Sequence, residues 1–305
     1  MRVPDTWQVV VPAPGDGPGN WAGAASAVLH DGAVYLTWRE RRPLTAGRGI
    51  AVVVARSRDG AHVEEVCRID RDGFARHTGR VVESFERPAL AFMPDGRVRL
   101  YLSCATTDSK HWWIQALTAD SAAELPSGDP AVVLPGDAAT GVKDPVVWHS
   151  GEQWRMFVCC HPLDVADAED RMTTRLFVSD DGLQFADEGE VLAPSGSGWD
   201  ARGTRISAVL PGGDPAHPDV LYDGRPDAEH NWFEQTSVAR WDGQRYVPDP
   251  TVHLGSPTPA TEPDPHGLQD AAFRYASVVD TPGGQRWYVE TARPDGAHDL
   301  VTGTV

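Results

Sequence analysis

Short apolar runs separated by turn residues fill this sequence from end to end, and the runs repeat. The clearest unit is Lys143-Asp144-Pro145-Val146-Val147-Trp148, a turn around Ser150-Gly151, and a second run from Trp154 that ends at Cys159 and Cys160. Proline is tolerated at the first residue of a strand and not inside one. Pro145 is therefore expected to open a strand, with Asp144 held at its mouth. Four further stretches align with this unit, at 23–39, 86–102, 204–225 and 274–290. With Ala25, Arg87, Asp144, Arg205 and Tyr275 taken as equivalent, the spacings are 62, 57, 61 and 70 residues. That period has room for four strands and their loops.

Later positions in the units agree. Ser57-Arg58-Asp59-Gly60, Ser179-Asp180-Asp181-Gly182 and Trp241-Asp242-Gly243 each follow a β run, and Asp-Gly between β runs is the strongest short hairpin signal. Five four-stranded units at even spacing predict an all-β chain folded as a five-bladed β-propeller, a ring of small sheets around a channel. A β-sandwich would show no internal period. The unit pattern implies one domain over residues 1–305. The proline-rich stretch 255–265 falls between the fourth and fifth units and is expected as a loop of that domain.

Composition narrows the function classes. The 305 residues include 41% hydrophobic residues, enough for a sizeable core, and Gly 30, Pro 25 and Trp 11 suit many short strands with turns. A net charge of −17 argues against a nucleic-acid backbone or an anionic membrane as partner. Cys67, Cys104, Cys159 and Cys160 lack CxxC or zinc-finger spacing, and adjacent Cys159 and Cys160 point to opposite faces of a strand as packing residues. The histidines show no HxH or HExxH spacing, and no phosphate loop, Rossmann fingerprint or nucleophile elbow occurs. Neither a cofactor nor a catalytic metal is expected. Met1-Arg2-Val3-Pro4-Asp5 opens no signal-peptide core, and no run of about 18 apolar residues occurs. A soluble cytoplasmic protein with reduced thiols is the expectation.

In a propeller the innermost strands line the axis and their first residues meet at one end, the default place for a ligand. At that layer the chain offers Trp21, Glu86, Arg87, Lys143, Asp144, Asp200, Arg202, Arg205, Asp270, Arg274 and Tyr275, and second-strand ends add Arg39, Asp223, Arg225 and Arg293. So many charges on one narrow axis are costly unless they pair with one another or meet a ligand that compensates them. The run 222–234, with His230, Trp232, Phe233 and Glu234, can cap a sugar ring by stacking an aromatic on its apolar face, or anchor a neighbouring blade. His230 and Glu234 are further candidates for acid–base work.

The Lys-Asp-Pro unit, the Asp-Gly hairpins and the five-unit period resemble the five-bladed propeller glycoside hydrolases, among them arabinanases, xylosidases and fructosidases. The resemblance implies three axial carboxylates: an aspartate opening the first blade, one in an Arg/Lys-Asp-Pro motif of the third, and a glutamate acid in the fourth. Asp144 matches the second; Ala25 and Arg205 stand at the other two positions. Two expectations follow. In one the protein is a glycosidase acting on a small soluble saccharide or glycoside, with Asp144 central, Glu86 and Asp200 as partners, and the arginines clamping an acidic group. Such hydrolysis needs two carboxyl groups, one protonated, about 5–5.5 Å apart for retention or about 6.5–9.5 Å for inversion. In the other the catalytic pair is lost and the pocket binds a saccharide without cleaving it, the arginines holding an anion by bidentate contacts. The sugar, the linkage and the oligomeric state are not legible.

Overall fold

The computed structural model describes residues 1–249, 251–255 and 272–305. The chain runs through β1 (Gln8–Val11), β2 (Trp21–His30), β3 (Ala33–Arg41), β4 (Gly49–Ser57) and β5 (Glu64–Asp70), then helix α1 (Arg71–Thr78). Next come β6 (Phe85–Phe92), β7 (Val98–Ala105), β8 (Trp112–Ala119) and β9 (Asp129–Leu134), followed by β10 (Thr140–His149), β11 (Trp154–Pro162), β12 (Thr173–Ser179) and β13 (Ala186–Leu192). The last strands are β14 (Gly203–Val209), β15 (Val220–Arg225), β16 (Gln235–Trp241), β17 (Tyr246–Pro248), β18 (Phe273–Thr281), β19 (Gly284–Ala292) and β20 (His298–Thr304). The structure is all-β apart from α1 and a few short 3-10 turns.

Consecutive strands pair antiparallel, giving four-stranded sheets β6–β9, β10–β13 and β14–β17. The remaining strands form one eight-stranded sheet, in which β18–β20 meets β2–β5 and β1 pairs with the outer side of β20. That junction is a single parallel bridge, Trp21 to His298. Both chain ends are thus tied into the same sheet. The expected Asp-Gly turns hold: His30 pairs with Ala33 across Asp31 and Gly32, whose φ of 48° and 70° are the left-handed values such a two-residue hairpin needs.

First strands pack on one another in a closed cycle, β2 on β6, β6 on β10, β10 on β14, β14 on β18 and β18 back on β2. The apolar core is distributed between neighbouring sheets. One cluster places Val54, Ile69 and Phe74 against Leu100, Leu102 and Trp113. Tyrosine hydroxyls add ties between sheets, Tyr101 to the Gly182 carbonyl and Tyr288 to the Gly60 carbonyl, each at 2.8 Å.

Pro145 does not open its strand. It lies inside β10, where the register with β11 shifts between Lys143 and Val146. A bulge interrupts the hydrogen-bond ladder, so proline's missing N–H costs nothing there. Equivalent shifts occur between Gly23 and Ser26, Phe85 and Pro88, and Arg274 and Ser277. The residue entering each bulge is Ala24, Glu86, Asp144 or Tyr275. The sequence alignment that equated Ala25 and Arg87 with Asp144 is therefore one residue out. Ala24, Asp144 and Tyr275 have φ of 55°, 56° and 52°, a conformation costly for residues other than glycine.

Candidate axial site

The bulges turn their side chains toward the common axis, as bulges re-aim residues beside functional sites. Asp144 is fully buried. Its backbone N–H donates to Ser103 Oγ at 2.8 Å, and its Oδ1 accepts the Arg87 N–H at 3.3 Å. Its Oδ2 lies 3.3 Å from both Arg205 Nη1 and the Tyr275 hydroxyl. Arg205 also bonds Asp223 and Glu234 through Nη2, each at 2.9 Å, and its guanidinium lies 3.8 Å from the centre of the Tyr275 ring. Strand register explains part of this: Arg205 pairs with Asp223 across β14–β15, and Arg274 with Glu290 across β18–β19.

Every axial carboxylate has cationic company. Glu234 is gripped by Arg205, Arg225 and Arg274. Burial pushes its carboxyl up, but these three guanidinium groups override that and hold it well below the usual carboxylate range. Glu290 meets Arg274 at 2.7 Å, Arg39 at 3.2 Å and His298 Nδ1 at 2.7 Å; burial opposes its ionisation, and Arg274 chiefly restores it. Glu86 pairs with Arg39 and lies 4.0 Å from Arg48, and although burial raises its carboxyl, Arg39 and Lys143 bring it below its ordinary value. Asp223 goes the other way, raised by burial despite Arg205.

Above this layer lies a cavity of about 80 Å³, lined by Trp21, Arg39, Arg41, Arg48, Glu86, Lys143, Arg205, Arg225, Asn231, Trp232, Glu234, Arg274 and Tyr275. Ten of the residues singled out in the sequence meet here: Trp21, Arg39, Glu86, Lys143, Arg205, Arg225, Trp232, Glu234, Arg274 and Tyr275. Asp144 and Arg87 sit one layer beneath, where Arg87 donates to the carbonyls of Ala25 at 2.9 Å and Ala276 at 3.2 Å. Asp200 stands apart in a 3-10 turn, accepting from Tyr222 Oη at 3.0 Å and from Ser195 Oγ. His230 bonds Asp227 at 2.7 Å in the turn Glu229–Trp232 that carries Asn231 and Trp232 to the cavity. Asp270 lies outside the described residues.

Arg41, Arg48, Glu290 and His298 escaped the sequence reading as site residues, whereas Asn231 belongs to the run 222–234 already singled out. A signal existed for Arg41: two residues beyond Arg39 on one strand, it points to the same face. Arg48 and His298 reach the axis from loop and edge positions that no local pattern marks. A larger cleft of about 630 Å³ opens elsewhere, bounded by Leu134, Val142, His161, Phe177 and the Arg175–Asp187 pair. Size favours that cleft, but the convergence of ionised groups from successive first strands favours the axial cavity, and chemistry follows convergent polar groups.

The cation count decides the character of the site. Among the described residues Arg39, Arg41, Arg48, Arg87, Lys143, Arg205, Arg225 and Arg274 converge on the axis, against Glu83, Glu86, Asp144, Asp223, Glu234 and Glu290. A chain of net charge −17 thus concentrates positive charge at one point. Such an arrangement can hold an anion by charge-assisted hydrogen bonds in a dry setting.

No family model matches this sequence, and no curated protein matches it. Solved structures do match in fold. An α-L-arabinofuranosidase from Lactobacillus brevis is similar with a TM-score of 0.64 at 12% identity, over 93% of this chain and 90% of that one. The GH43_1 enzyme of Xanthomonas citri, solved with xylose, gives a TM-score of 0.62 at 13% identity over 97% and 90%. A β-1,2-mannobiose phosphorylase from Listeria innocua, solved with β-1,2-mannobiose, gives 0.56 at 12% identity over 100% and 92%. The chain shares the β-propeller fold of these glycoside-processing enzymes.

Proposed function

We propose that the protein is a single-domain, five-bladed propeller of glycoside-processing type whose axial cavity receives a small acidic saccharide or glycoside. Five blades result if the eight-stranded sheet is two blades meeting at the Trp21–His298 bridge, β2–β5 on one side and β18–β20 with β1 on the other. The observation that carries the functional reading is the surplus of cations around the cavity, which an anionic ligand would offset. Buried, unpaired thiols at Cys67, Cys104, Cys159 and Cys160 suit a reducing cytoplasm.

Recognition without hydrolysis is the reading the charge arrangement favours. Glu86 and Glu234 are the carboxylates that line the cavity, and arginines keep both ionised. Glycoside hydrolysis by a carboxyl pair needs one member protonated. Asp223, whose carboxyl is raised, is fully buried beneath Arg205. A glycosidase centred on Asp144 is the second reading, supported by one observation: Glu86 and Asp144 enter equivalent bulges in adjacent sheets, with Asp144 in a strained conformation.

A panel of aryl glycosides and short oligosaccharides, uronides included, offered to the wild type and to Asp144→Asn separates the two. Saturable binding of an acidic member without turnover is the expected result. Turnover abolished by Asp144→Asn in a folded variant would replace recognition by hydrolysis. Neither binding nor turnover across the panel would overturn both.

A further inference from the structure

The cavity's cations are not equivalent. Arg39, Arg48, Arg205, Arg225 and Arg274 each have a carboxylate within ion-pair distance. Among the described residues Arg41 and Lys143 have none. Arg41 is 4% exposed. Its guanidinium lies 3.9 Å from the centre of the Trp21 ring and 5.6 Å from that of Trp232. Burial and then the neighbouring Arg39 pull it down to about 10, and Glu86 opposes that pull only in part. The guanidinium lies over the Trp21 indole, with Trp232 farther off and set at 75° to Trp21, and its N–H edge matches a planar carboxylate. Lys143, whose ammonium lies 5.3 Å from the centre of the Trp112 ring, supplies a point charge to the same cavity.

Size sharpens the chemistry. The axial cavity, about 80 Å³, is far smaller than the cleft of about 630 Å³ elsewhere on the chain, which suits entry of a substituent group rather than of a whole saccharide chain. Trp232 is 39% exposed at the mouth, with an open aromatic surface on which a ring can stack.

We propose that Arg41 is the specificity residue of this site: with Lys143 it binds the carboxylate of a uronate-type sugar, whose ring remains outside on Trp232. This rests on the saccharide reading above and names its substrate class. The shared chemistry is an oxyanion, so inorganic phosphate serves as the comparison.

Calorimetric titration of glucuronate, galacturonate, their methyl esters and inorganic phosphate into the wild type, Arg41→Gln, Arg41→Lys and Trp232→Ala tests it. One uronate is expected to bind the wild type at least tenfold more tightly than its ester. Arg41→Gln should remove that preference, Arg41→Lys should restore it only in part, and Trp232→Ala should weaken acid and ester alike. Equal binding of acid and ester by the wild type would overturn the role of Arg41 and leave the saccharide reading standing. Phosphate binding that Arg41→Gln abolishes, with no saccharide bound, would overturn the uronate and the saccharide reading together. No binding by any probe would overturn all of it.

Discussion

Arg205 Nη1 lies 3.3 Å from Asp144 Oδ2, both side chains fully buried. The residue standing where the family resemblance places a glutamate acid is thus the counter-ion of the aspartate that does match. Arg205 reaches Asp223 and Glu234 as well, so one guanidinium compensates three carboxylates contributed by two strands and a loop. The arrangement is an ionic hub at the position where the sequence resemblance led to the expectation of a carboxylate.

Removing that hub should be severe. Arg205→Met leaves Asp144 and Asp223 without an ion-pair partner, and breaking a buried pair from one side costs about 3–5 kcal/mol. Urea unfolding should show a loss in that range or a failure to fold. Arg205→Lys should recover little of it, because an ammonium cannot reproduce the planar fork that serves three acceptors. A lysine variant as stable as the wild type would show that the hub is not the source of the effect.

Acid stability should be governed by two buried histidines before the carboxylates. Burial lowers His161 and His298 to about 4 each, in His298 against the opposing pull of Glu290. For a histidine whose folded value lies below its unfolded one near 6.5, the unfolded chain binds the extra proton, so stability falls as pH drops from about 6.5 towards 4. The loss amounts to roughly 3 kcal/mol per ring at the acid end. Glu234 and Glu290, held below the ordinary range, add their loss only below about pH 4. Melting temperatures measured from pH 8 to 3.5 should decline in that order, and His161→Gln should flatten the upper limb.

Ala24→Gly should be neutral or stabilising, by up to about 1 kcal/mol. In an ordinary strand the same change weakens the protein. Ala24 is fully buried with φ of 55°, where glycine relieves the steric cost. Differential scanning calorimetry decides the sign, and a clear drop in melting temperature would mean that the bulge carries no strain at this position.

The architecture was legible because it is local and repeated. Apolar runs of period two, Asp-Gly turns and a spacing near sixty residues depend on residues close in sequence, and the sheets β6–β9, β10–β13 and β14–β17 follow from them. The same locality identified the charged layer at the starts of the first strands. Three things required the fold. The bulges that make Glu86, not Arg87, the counterpart of Asp144 arise from pairing with a second strand, and a one-residue slip leaves the composition of the run unchanged. Asp200, near Arg205 in sequence, turns away to Tyr222. Arg41, with no carboxylate within ion-pair distance among the described residues, and the arginines that grip Glu234 differ only in what the other sheets bring beside them. Charge pairing on an axis is decided by residues scores of positions apart, and the sequence carries the groups without stating which of them are neutralised.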